Sequence, residues 1–201
     1  MAGASNVTLR FGGEQKLPYT FKAMTLQEAK QKMTTLGPRD GDGNHAGQCE
    51  VKAYIKDLKI DTTRKSTSGM MIYTAFIKNA TLEYSFIIRF PNWSNYKSLS
   101  KAIIKEWERF TKCLLVHERG HENIAVPIVK QYLKKFQNLN IAAESGTSDA
   151  EKELRSQIVS LGQLLEAECN NSGKNYDIKT RHGRTQGAKL RTNIRRGSRH
   201  R

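Results

Sequence analysis

The chain has 201 residues, of which 37% are hydrophobic and 26% charged, enough for one ordinary domain or two small ones. Its longest apolar run, Met70 to Ile77, is interrupted by Tyr73 and Thr74, far short of the about 20 apolar residues a transmembrane helix needs. Thirty-four Lys and Arg against nineteen Asp and Glu give a net charge of +15, which draws a chain toward polyanions. Much of that charge is terminal. No acidic residue follows Asp177, nine basic residues lie between Lys179 and Arg201, and the rest of the chain carries a net +6.

Residues 1–18 read as an N-terminal segment, and Met1 to Ser5 lack the basic start and apolar stretch of a secretory signal. An intracellular chain and an exported one whose signal has been removed both fit. The first helix signal is Thr25-Leu26-Gln27-Glu28, in which Thr25 and Glu28 form a capping box. This helix is expected to run to about Leu36 and to stop at Gly37-Pro38, with a left-handed glycine cap. In the Gly/Asp loop from Arg39 to Gln48, Asp40-Gly41-Asp42-Gly43-Asn44 faintly resembles a calcium loop, but the twelfth position counted from Asp40 is Val51, where a bidentate carboxylate is required. It is expected to be a polar turn.

Val51 to Ile60 alternates in part as a strand does. Met70–Ile77 and Leu82–Phe90 are rich in aromatic and β-branched residues, and predict an antiparallel hairpin turning at Lys78-Asn79-Ala80-Thr81. From Ile103, residues Trp107, Phe110, Leu114, His117, His121, Ile124 and Ile128 recur at steps of four and three, one face of an α-helix. Pro127 should kink or end it. A second amphipathic helix is expected from Ser148, with Glu151 closing a capping box, Leu154, Ile158, Leu161 and Leu165 as its buried stripe, and Asn170 to Gly173 as its stop. The pattern predicts an α+β domain over residues 19–187, with a small antiparallel sheet on two long helices, followed by a flexible basic tail over 188–201.

His117-Glu118-Arg119-Gly120-His121 is an HExxH sequence on the predicted helix. Residues four apart share a helix face, so His117 and His121 can grip one zinc ion, while Glu118 is placed as general base. With five His and thirteen Glu in the chain, the pattern arises by chance about once in a hundred such sequences. Two imidazoles in an apolar seam are costly unless both find partners, and a metal ion satisfies both.

A catalytic zinc takes a third protein ligand. His45, His182 and His200 are the remaining histidines. His182, followed by Gly183, could return toward the metal or be an exposed residue of a basic loop. Cys49, Cys113 and Cys169 form no CxxC pair, which argues against a sulfur-ligated site. One disulfide with a spare thiol and three buried thiols are both consistent with their number. Tyr176 is a candidate donor to the oxyanion of a tetrahedral intermediate, or a buried structural tyrosine. Glu122 is expected to face water.

The stretch from Trp107 through His117-Glu118-Arg119-Gly120-His121-Glu122-Asn123-Ile124-Ala125 resembles the core of a bacterial family of unknown function described as predicted secreted zinc-dependent proteases. Tyr19 with the Thr25 helix, Phe90-Pro91-Asn92-Trp93, and Tyr176-Asp177, Thr180, His182-Gly183 and Gln186-Gly187 fit the same family in order. The resemblance implies a zincin-like, zinc-dependent metallopeptidase that binds one Zn2+ per chain and acts on protein or peptide substrates. It makes His182 the preferred third ligand, with Asp177 as the alternative ligand or a supporting partner. It also implies a secreted or periplasmic location. Two other readings accompany it: a nucleic-acid-binding protein using the basic tail, and a zinc-containing, non-catalytic domain that binds a partner. Without aromatic residues after Tyr176, the tail suits non-specific polyanion contact better than base stacking.

Overall fold

The computed structural model describes residues 5–40, 43–144 and 146–194. It shows a mixed α+β fold: strands β1 (Asn6–Phe21), β2 (Arg39–Asp40), β3 (Gly43–Asn44), β4 (Gln48–Thr67), β5 (Met70–Trp93) and β6 (Asn140–Ala143), with helices α1 (Leu26–Leu36), α2 (Lys101–Gln137) and α3 (Thr147–Thr180). The main sheet has the order β1-β5-β4, with β6 also paired to β5, and β2 and β3 form a separate two-stranded ribbon. None of the described helices is long and apolar enough to cross a membrane.

The chain divides into two compact units, and the long elements pass through both. Among the described residues, one comprises 5–13, 51–85, 124–144 and 146–172, the other 14–40, 43–50, 86–123 and 173–194. In the first, Val129, Tyr132 and Phe136 on α2 and Leu154, Ile158 and Leu165 on α3 are buried. The second holds the HExxH segment. Its core gathers Phe21, Leu26, Met33, Trp93, Trp107, Phe110 and Leu114, with the Trp93 and Trp107 rings edge to face at 5.2 Å.

Several expectations need correction. The sheet begins at Asn6, inside the segment expected to precede the domain; Gly12-Gly13 and Pro18 mask its alternation. Lys78-Asn79-Ala80-Thr81 is not a turn, because β5 runs unbroken through it. Ala75, Phe76 and Ile77 are buried, as are Ala80 and Leu82, while Lys78 is exposed and Asn79 half-buried, so two polar residues between buried stretches resemble a break in the pattern. The turn lies at Ser68-Gly69, where both residues have positive φ (52° and 80°), as a tight two-residue hairpin between β4 and β5 requires.

Thr25 does cap α1, its hydroxyl accepting from the Glu28 amide at 3.1 Å. Gly37, however, is extended (φ −64°, ψ 163°) rather than left-handed. Its lack of a side chain leaves room for the His45 carbonyl instead. Helix α2 continues past Pro127 to Gln137. A proline costs about 3 kcal/mol within a helix, and burying Val129, Tyr132 and Phe136 beyond it recovers about 1.5–3 kcal/mol for each large apolar side chain. Helix α3 likewise runs through Asn170–Gly173 to Thr180, so Tyr176 and Asp177 are helical residues rather than parts of a loop.

Packing also extends beyond the expected boundary at 187. Ala188 and Leu190 are buried in the core of the second unit, and Ile194 packs against it. Residues 195–201, and His200 with them, lie outside the described residues, as do Gly41 and Asp42 of the calcium-like loop. The arm over 187–191 is tied down by Arg109, which donates to the carbonyls of Gly187 and Lys189, both at 2.7 Å. Buried Glu106 accepts two bonds from Arg109, at 2.8 and 2.6 Å, and one from the Arg191 amide at 2.7 Å. Burial alone would raise the Glu106 pKa, but the Arg109 bonds and the Arg191 amide outweigh it and hold the carboxyl below its usual range. A depressed folded-state pKa gives stability that is present above the unfolded value and lost as pH falls through the folded one. Glu106→Gln should therefore cost about 1–3 kcal/mol at pH 7. Urea denaturation at pH 7 and pH 3 should show the deficit shrinking in acid.

Candidate metal centre

Helical spacing sets the first three side chains. His117, Glu118 and His121 are buried on α2, and one ligand-capable atom from each lies within 4.8 Å of the other two. The last turns of α3 bring in a fourth. Asp177 Oδ1 lies 3.0 Å from His117 Nε2 and 3.2 Å from His121 Nε2. Gly173, read from sequence as a helix stop, instead gives clearance: a Cβ there would sit 3.2 Å from His121 Nδ1.

His117 Nδ1 meets Gln186 Oε1 at 2.9 Å. The amide is oriented by its other end, since Gln186 Nε2 donates to the Tyr176 hydroxyl at 2.7 Å. With the amide placed this way its carbonyl oxygen faces the ring, and a hydrogen bond between them has Nδ1 as the donor. In neutral His117 this leaves the Nε2 lone pair pointing at the Asp177 carboxylate. Two acceptors at 3.0 Å repel unless a proton or a cation lies between them. Burial lowers the His117 pKa, but the Asp177 bond and the Glu118 charge prevail and raise it. For Asp177, burial is overcome by its bonds to His117 and His121, and the carboxyl is held far below the usual range.

Tyr176 fills the space between the imidazoles. Its ring stacks on His117 (5.1 Å, 12°) and meets His121 edge-on (5.0 Å, 82°). A Cβ on Gly120 would overlap the Tyr176 hydroxyl, so the glycine inside HExxH makes room for this ring at a cost of about 1 kcal/mol in helix propensity.

Glu118 is 1% exposed, and its Oε2 is buried with no hydrogen-bond partner among the described residues. Burial pushes its pKa up to about 8, with Asp177 adding to the rise and His117 opposing it. Gly47 packs against the other carboxylate oxygen, where a side chain would collide with it. The neighbouring Ala46 carbonyl accepts from the Tyr19 hydroxyl at 2.7 Å. Glu122 is half-buried near Glu14 rather than turned to water. The three cysteines are free thiols; burial first and the Glu118 charge second raise the pKa of Cys49.

Of the residues expected at the site, the structure brings together His117, Glu118, His121, Asp177 and Tyr176. His182 stands at the margin: Nδ1 is 4.0 Å from Asp177 Oδ1, the side chain is 40% exposed, and the ring stacks on His45 at 4.4 Å. The backbone turns sharply here, with Arg181 and His182 both at φ 51° and Gly183 at 74°. This turn carries Gln186 back to His117. Sequence reasoning assigned no role to Gln186, Tyr19 or Gly47, although Gln186 and Tyr19 lie in the stretches that resemble the protease-like family.

The donor set suits a metal ion. Ligand atoms 2.0–2.1 Å from a tetrahedral ion lie about 3.3 Å apart, close to the two Asp177 distances. The amide on His117 Nδ1 is the kind of outer partner that fixes a ligating imidazole. The unpartnered Glu118 oxygen supplies an acceptor beside it.

A family described as bacterial protein of unknown function (DUF922) matches residues 17–183. The chain belongs to this family. The DUF922 match takes in the HExxH helix, Asp177 and the His182-Gly183 turn. No curated protein and no solved structure matches the chain.

Proposed function

We propose that this DUF922 protein is a zinc-dependent metallopeptidase of zincin-like organisation. The observation that carries this reading is the convergence of His117 Nε2 and His121 Nε2 on Asp177 Oδ1 at 3.0 and 3.2 Å, beside a buried Glu118. His117, His121 and Asp177 would hold the ion, with Asp177 preferred over His182 on these distances. When bound, zinc supplies Lewis-acid activation of water and of the scissile carbonyl.

The chain's own residues supply the rest. Glu118 accepts a proton from the attacking water and returns it to the leaving amine, a role suited to a carboxyl whose pKa burial has brought toward neutrality. Gln186 keeps the His117 Nε2 lone pair directed into the site, and Tyr176 holds Gln186. Because the Tyr176 hydroxyl accepts from Gln186, its own proton remains available to a developing oxyanion. The reading is tested by hydrolysis of an unfolded protein that stops when metal is stripped and returns when zinc is restored.

A further inference from the structure

His182 and His45 also line a cavity of about 330 Å3. Three cationic side chains stand around it: Lys30 on α1, Arg184 in the turn after His182, and Lys189 on the arm that follows. Met33, Phe110 and Leu190, all buried, give it apolar walls. Among the described residues, none that lines it is acidic. Among the described residues, none of the three cations meets a carboxylate within 4.0 Å. The adjoining metal cluster has the opposite character, with Glu118 and Asp177 at its centre. His182 joins the two, since it lines the cavity and lies 4.0 Å from Asp177 Oδ1.

A +15 chain has spare cations everywhere; three of them lining one cavity beside the cluster is the specific feature. Like charges held together repel one another, and an anion that neutralises them recovers that cost. The size is at the lower end for small-ligand sites, enough for one or two side chains rather than a folded partner. We propose that this cavity is a specificity pocket that receives a carboxylate attached to an apolar stem from the peptide substrate. The carboxylate comes from an acidic side chain or from the chain end. This inference rests on the peptidase reading, and is tested by binding so that the two can fail separately.

The experiment is calorimetric titration of the full-length, zinc-loaded Glu118→Gln protein with unlabelled octapeptides on one leucine/alanine frame. One set carries a single Glu scanned through the sequence with an amidated end, a second carries Gln in its place, and a third has Gln with a free C-terminal carboxylate. At least one Glu or free-acid peptide is expected to bind about tenfold tighter than its neutral analogue, with the preference shrinking in 0.5 M salt. Preference confined to free-acid peptides identifies the chain end as ligand, and preference at one internal position identifies an acidic side chain. In Arg184→Gln/Lys189→Gln the preference should disappear while binding of the neutral peptide persists; both residues are exposed, and a thermal melt checks that the variant is folded. Equal binding of all three sets, binding of none, or a preference that survives the double substitution would overturn the proposal. Cleavage of unfolded protein without such a preference would remove the pocket and leave the peptidase reading intact.

Discussion

Glu118→Gln is expected to leave zinc content unchanged and to lower the kcat for peptide hydrolysis by about 10²–10⁴-fold, the usual contribution of a positioned general base. The substitution preserves volume at a site where volume matters: the side chain is 1% exposed and Gly47 packs directly against one oxygen. What it removes is the proton acceptor. The Oε2 atom has no partner among the described residues, so none of them depends on it for a hydrogen bond. A buried polar atom left without a partner costs about 1–3 kcal/mol, a cost that a role in proton transfer explains. Steady-state kinetics and metal analysis on the same preparation check the result. A variant that retains zinc and cleaves as fast as wild type would dismiss Glu118 as base.

The second large effect separates the two candidate third ligands. Asp177→Asn should weaken zinc binding by at least about 100-fold, and His182→Ala by less than about tenfold. The distances set this ranking. Asp177 Oδ1 is within 3.2 Å of both imidazole Nε2 atoms, whereas the His182 ring is 40% exposed and stacked on His45. Asparagine keeps the shape of aspartate but lacks the charge that His117 and His121 face. Competition against a chromogenic chelator gives both affinities. The reverse order, with His182→Ala the more damaging, would make the histidine the ligand and Asp177 its support.

The HExxH core was legible because a helix repeats every 3.6 residues, so Trp107, Phe110, Leu114, His117 and His121 declare a common face without knowledge of the rest of the chain. The outer parts of the site depend on contacts between residues far apart in sequence. Asp177 meets His117 across 60 positions and Gln186 meets it across 69, and no periodic pattern encodes such pairings. Glycine was the main source of misreading. Gly173 looked like a helix stop but leaves room for His121, and Gly37 looked like a left-handed cap but leaves room for the His45 carbonyl. In both places the missing side chain matters for space rather than for backbone freedom. The error at Lys78–Thr81 has a related cause: polar residues inside a long strand resemble a turn when the neighbouring strand is unknown.

The most direct test is zinc reconstitution. Protein stripped with a chelator and dialysed should show no hydrolysis of unfolded casein, and activity should rise linearly to a plateau at one equivalent of added zinc. Hydrolysis that persists in the stripped protein, or a zinc-loaded chain that cleaves nothing, would contradict the assignment of this site as the centre of a zinc peptidase.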